Sequence, residues 1–214
     1  MLKALLLSSV LLSLSACQSA YYSAMEKVGT HKRDIMVDRV EAAKESQQEA
    51  QQQFQSALEQ LSTLIAFDGE DLQRQYDITK DNYDDAQDAA DEVSDRIDSI
   101  EDVADALFVE WQNEIEQYNS QTLRQQSRDK LRQTQGQYAT LIQSMRRAES
   151  SMQPVLSALK DNMLYLKHNL NAKAIGALQG EYDLIKRNVD ALIKEMNASI
   201  EQSQKFIDQF EQGS

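Results

Sequence analysis

Glycine and proline are almost missing from this chain, which has six of the first and one of the second. A many-stranded fold needs turn residues at short intervals, so that class is excluded and long helices are favoured. A single cysteine, Cys17, rules out any disulfide within the chain. The two histidines, His31 and His168, lie far apart, and neither belongs to a Glu-x-x-His or His-x-x-x-His pair. Helical di-metal and zinc sites therefore have no support. A glycine-rich phosphate loop and a nucleophile elbow are also missing. Basic residues are scarce, 22 against 35 acidic, for a net charge of −13. That balance disfavours nucleic acid, which needs a basic surface. Beyond Cys17 no stretch is apolar and long enough to cross a membrane. The chain is expected not to be an enzyme and to use no cofactor, metal or small-molecule substrate.

What is present begins at the N-terminus. Lys3 precedes an apolar run from Ala4 to Leu14, followed by Leu14-Ser15-Ala16-Cys17. This is the layout of a secretory signal peptide over residues 1–16, too short for a final transmembrane span. The small residues before the cut and the thiol at it resemble a bacterial lipobox. That resemblance implies a diacylglycerol thioether on Cys17, as first residue of the mature chain, and an acylated amino group. Several acyl chains at about 0.8 kcal/mol per buried methylene make a lasting anchor. The competing reading is an ordinary cleaved signal with a stray cysteine.

Beyond Cys17 the apolar residues follow a seven-residue repeat with 4–3 spacing. The first seam is Met36, Val40, Ala43, Gln47, Ala50, Phe54, Ala57, Leu61 and Leu64. The second runs from Leu72 through Tyr76, Thr79, Tyr83, Ala86, Ala90, Val93, Ile97, Ile100, Ala104 and Leu107 to Trp111, Glu114 and Tyr118. The third holds Leu131, Tyr138, Met145, Met152, Leu159 and Leu166, with a companion row of Ile142, Leu156, Met163 and Leu170. The fourth runs from Ile175 through Leu178, Tyr182, Ile185, Val189, Leu192, Met196, Ser199 and Ser203 to Phe206 and Phe210. Such spacing keeps one stripe facing its partners in left-handed, coiled-coil-like packing. The methionines on these rows are adaptable core filler. The glutamines from Gln47 to Gln53 otherwise read as a solvated face.

Breaks fall at Phe67-Asp68-Gly69, where Asp68 can cap the next helix, at 118–122, and at 170–173, where Asn171 tolerates a left-handed turn. Connections this short force antiparallel neighbours. The expected fold is all-α: one elongated antiparallel four-helix bundle over 17–214, about 60–75 Å long at 1.5 Å per residue. Pro154 should kink or interrupt the third helix near Ser150, and Gly29 should divide a short helix at 21–28 from the first long one.

Charge is uneven. Residues 68–118 hold 18 acidic and 3 basic residues, while 119–172 hold 3 acidic and 8 basic. The second and third helices should therefore pair, with Arg124, Arg128, Arg132, Arg146 and Arg147 offsetting the acidic face. Asp84, Asp88, Asp91, Asp95, Asp98 and Asp102 form a candidate docking stripe for a basic partner. A tight calcium loop is not expected there, because its irregular backbone and glycine turn are missing. His31-Lys32-Arg33 can touch lipid headgroups or simply begin a solvated helix. Tyr21 and Tyr22 suit either an interfacial or a core position.

With the lipobox, the run YYSAMEKVGTHKRDIMVDRVEAAKESQQEAQQQFQSALEQL from Tyr21 resembles a family of gammaproteobacterial lipoproteins catalogued as a domain of unknown function. The resemblance implies a Gram-negative envelope lipoprotein with a helical fold, and it brings no activity or binding residues. An Asp after the lipidated cysteine favours inner-membrane retention in such bacteria. Gln18 in its place points by analogy to the outer membrane, periplasmic face.

These readings combine into a lipid-anchored, non-catalytic scaffold, adaptor or spacer, monomeric, with an envelope protein as partner. The alternatives are a helical rod lying on lipid and a docking module for a basic partner. A rod lying on lipid should present a basic stripe, whereas this chain presents an acidic one. The short link from Cys17 to Tyr21 is expected to hold the Gly29 end and the 118–122 turn nearest the membrane.

Overall fold

The computed structural model describes residues 21, 22, 24, 25, 29–67, 71–169 and 172–212. Four long helices account for nearly all of them: α1 (Lys32–Ile65), α2 (Leu72–Ile115), α3 (Gln121–His168) and α4 (Ala172–Gln212). No strand occurs among the described residues. α1 packs on α2 and α4, and α3 packs on the same two, so the helices form a closed ring around one axis. The fold is an all-α antiparallel four-helix bundle. Residues 1–16, Cys17, Asp68, Gly69, Leu170 and Asn171 lie outside the described residues.

The starts of α1, α2 and α3 have a local reason. The His31 backbone N–H donates to Asp34 Oδ2 at 3.1 Å. Asp71 caps α2 by accepting from the Arg74 backbone at 3.1 Å, so the cap is three residues later than Asp68. Ser120 caps α3 through the Leu123 backbone N–H at 3.4 Å. At the other end of α3, Asn169 Nδ2 donates to the Tyr165 carbonyl at 2.9 Å.

The seams set the packing. All nine residues of the first are buried. In α2 the seam is buried from Ala86 to Leu107, but Trp111 is half-buried while Glu114 and Tyr118 are exposed. Lys32, at the start of α1, already pairs with Glu110 at 3.0 Å. The last turns of α2 therefore run past the end of α1. There Ile115 is buried instead, as the apolar side turns toward α3, the long neighbour that remains. In α4 the seam is buried throughout apart from half-buried Tyr182.

The companion row of α3 needs correction. Thr134, Leu141, Ala148, Val155 and Asn162 are buried at seven-residue intervals, whereas Ile142 and Met163 are only half-buried. Threonine, alanine and asparagine disguise this row in the sequence. α3 also runs without interruption through Pro154, which sits exposed. The proline removes one backbone N–H and sets its ring against the Ser150 carbonyl, a local cost that the packing of α3 outweighs. The hydroxyls of Ser150 and Ser151 donate to the carbonyls of Arg147 and Ala148, at 3.0 and 2.7 Å.

A polar layer lies in the core around Gln47. Lys44 donates to Gln204 Oε1 at 3.0 Å, and Gln51 donates to Asn197 Oδ1 at 3.2 Å. Gln47 is thus level with residues 197–204 of α4, where Ser199 and Ser203 are fully buried. Ser203 Oγ donates to the Ser199 carbonyl at 2.9 Å. The Gln47 amide and the Ser199 hydroxyl have no protein partner. Gln47 therefore belongs to the core and not to the solvated glutamine face.

Before α1, residues 21, 22, 24 and 25 are helical, and Gly29 has φ +89°. The Thr30 backbone N–H donates to the Met25 carbonyl at 3.0 Å. A left-handed glycine followed by a bond reaching back five residues is a Schellman ending. The chain then reverses, and Tyr22 returns alongside α1. Its hydroxyl accepts from Arg39 at 3.1 Å, its ring lies 5.7 Å from Lys32 Nζ, and it is 3% exposed. Tyr21 stays outside at 45% exposure, edge-on to Tyr22. Tyr22 is thus a core residue.

Gly29→Ala should cost about 1 kcal/mol from the left-handed backbone alone, because open space surrounds the site of a Cβ. Hydrogen exchange at the Thr30 amide should quicken, and unchanged exchange would remove the turn from its role. Gln47→Leu should raise stability by about 1–3 kcal/mol through loss of an unsatisfied buried amide. A lowered urea midpoint would contradict that accounting.

Candidate functional site

The six aspartates proposed as a docking stripe all fall on the side of α2 away from its buried seam. Asp88, Asp91, Asp95, Asp98 and Asp102 are exposed, and Asp84 is half-buried. Asp84 pairs with Lys80, Asp91 accepts from Gln87 Nε2 at 2.9 Å, and Asp98 pairs with Arg146. Helical geometry spreads these carboxylates along the rod, so they do not converge on a point. Among the described residues no group of three or more His, Cys, Asp or Glu is arranged to hold a metal ion.

The strongest electrostatic feature is a cluster that sequence reading only partly located. Arg146 of α3 reaches Asp98 and Glu101 of α2, the second at 2.6 Å, and Glu149 of its own helix at 3.0 Å. Hydrogen bonding to Glu101 above all holds this guanidinium firmly protonated. Next to the cluster, Phe108 and Tyr138 meet edge to face at 5.4 Å across the same interface. Burial, with help from Glu101 and Asp105, pushes the Tyr138 phenol up to about 12.

The other arginines divide their tasks. Arg128 pairs with Glu116 at 2.8 Å and lowers the pKa of that carboxyl. Arg124 donates to the Tyr118 carbonyl at 2.6 Å and so closes the α2–α3 turn. Arg132 pairs with Asp129 inside α3, and Arg147 faces Glu195 of α4 at 3.9 Å. Neighbours such as Arg146 and Arg147 are about 100° apart on a helix, so both cannot face α2. Exposed pairs of this kind contribute about 0–1 kcal/mol each.

The cations at the start of α1 are also engaged by protein. Lys32 pairs with Glu110, and Arg33 donates to the Phe210 carbonyl and stacks over its ring at 4.8 Å. With Trp111 and Glu114 they border a pocket of about 420 Å³. Opposite charges there largely cancel, which removes the basic patch that headgroup contact would need. His31 is exposed at this end and His168 at the far end of α3, so no site combines the two.

Residues 21–210 match a family described as protein of unknown function (DUF2959). The chain belongs to that family. No curated protein and no solved structure matches it.

Tyr138 generates a pH prediction. Its folded pKa lies above the ordinary value of 10. At high pH the unfolded chain therefore loses this proton first, and stability falls as pH rises. The contribution is complete below about pH 10 and is lost as pH rises through about 12. Melting temperature should decline across that window, and Tyr138→Phe should flatten the decline. An equally steep decline in the variant would assign it to other groups.

Proposed function

We propose that this chain is a lipid-anchored envelope protein whose helical bundle acts as a non-catalytic scaffold, adaptor or spacer. The observation that carries the proposal is Leu14-Ser15-Ala16-Cys17, directly behind a basic residue and an apolar run. The lipid on Cys17 fixes the protein to a membrane, and Gln18 beside it supports, by analogy, the outer membrane, periplasmic face. Support for a mechanical role comes from the fold, a rod about 70 Å long at 1.5 Å per residue. The partner is an envelope protein, and the bundle works as a monomer, a reading supported by the burial of most of each seam within one chain.

The acidic stripe on α2 favours a second role alongside the first. Asp88, Asp95 and Asp102 are exposed on one face. They would steer and hold a basic partner through complementary charge, an attraction that salt weakens.

Metabolic labelling with a palmitate analogue tests the anchor. The natural chain should be labelled and recovered with membranes, and Cys17→Ser should be unlabelled. Label persisting on Cys17→Ser would refute the assignment.

A further inference from the structure

The polar layer midway along α1 leaves its hydrogen bonding unfinished. Gln47 of α1 and Ser199 and Ser203 of α4 are completely buried. The Ser203 hydroxyl donates its proton to the Ser199 carbonyl at 2.9 Å, and the nearby Ser46 hydroxyl donates to the Ala42 carbonyl at 3.1 Å. Both polar atoms of the Gln47 amide and the Ser199 hydroxyl have no protein partner. A primary amide offers two N–H donors and a carbonyl acceptor, and a hydroxyl both donates and accepts. Native proteins rarely leave buried groups of this kind unpaired, because each one then costs its full desolvation.

The surroundings are small and closed. Along the α4 seam, Ser199 and Ser203 stand between Met196 and Phe206, which fill the layers to either side. Counted from the contact of Arg39 with Ser99, the residues of α2 level with Gln47 lie near Asp91, where Ala90 and Val93 are buried. Serine and alanine opposite one glutamine leave space that methionine or phenylalanine occupies in other layers. On the solvent side, Lys44 and Gln204 at 3.0 Å and Gln51 and Asn197 at 3.2 Å bracket the layer and shut it from bulk water.

We propose that this layer is a binding site for one internal water molecule, which joins α1 to α4. An N–H and the C=O of a primary amide lie side by side along its edge, so one water accepts from Gln47 Nε2 and donates to Gln47 Oε1. The Ser199 hydroxyl donates a third hydrogen bond to the same water. Three protein bonds are the usual number for a buried water. The three side chains are neutral, which suits water and not an ion. Asn162, the other buried amide with unmet capacity, has a single unpartnered atom and so falls short of the two to four partners that a water needs. Water held in this way satisfies the Gln47 amide, so Gln47→Leu gains less stability than removal of a wholly unsatisfied amide gives.

Oxygen-17 relaxation dispersion of the water signal tests the site, because it reads water oxygens that stay bound for longer than the protein takes to tumble. The full chain in detergent solution should show a long-lived water. Gln47→Leu should remove it, and so should Gln47→Met, which keeps nearly the length of glutamine. Circular dichroism matching the natural chain checks the fold of each variant. A natural chain without any long-lived water overturns the site, whether or not either variant folds. An undiminished amplitude in a folded variant overturns it as well. So does a crystal structure in which the Gln47 amide bonds directly to Ser199 or Ser203 with no water between them.

Discussion

Each of the four helices owns one apolar stripe and little else, and the structure depends on those stripes meeting along a single axis. A helix of this kind exposes its stripe to water when alone, so it gains most of its stability from its neighbours. Burying one leucine, isoleucine or phenylalanine contributes about 1.5–3 kcal/mol, and the core runs nearly the whole length of the rod. The ring of neighbours lets one chain satisfy all four stripes. Where a neighbour stops, burial changes with it: past the start of α1, the apolar side of α2 rotates and Glu114 and Tyr118 face water.

The polar layer at Gln47, Ser199 and Ser203 interrupts this core at one height. An amide without a protein partner costs stability there, yet it also penalises register shifts that would set it against leucine or isoleucine layers. Buried polar groups fix the register of coiled coils in this way. Asn162, also buried with an unpaired amide nitrogen, is a second such interruption, in α3.

Charge organises the outside unequally. The acidic α2 and basic α3 are adjacent, but one arginine, Arg146, carries most of that cross-helix pairing while the others bind a turn, their own helix or α4. Arg39 has a comparable role in another groove, joining Tyr22 to the α2 backbone. A single guanidinium with several donors can connect three segments, and a lysine ammonium lacks that fixed fork geometry.

The sequence by itself determined the helical class, the seam of α1, the buried middle of α2 and nearly all of α4, because apolar periodicity is a local property of the chain. It also determined that the six aspartates share one outward stripe, since helical phase alone requires it. Tertiary structure decided the rest. The second row of α3 became visible only through burial, because Thr134, Ala148 and Asn162 carry weak apolar signals. Pro154 stays within one helix although its missing N–H and its ring against the Ser150 carbonyl disfavour it locally, because the packing of α3 on α2 and α4 continues on both sides of it. Which arginine meets which carboxylate depends on rotation about each axis, and sequence spacing does not fix rotation between helices. Gly29 announced a break, but the reversal that places Tyr22 beside Arg39 required three segments to meet in space, and a contact between residues so far apart in the chain leaves no local trace.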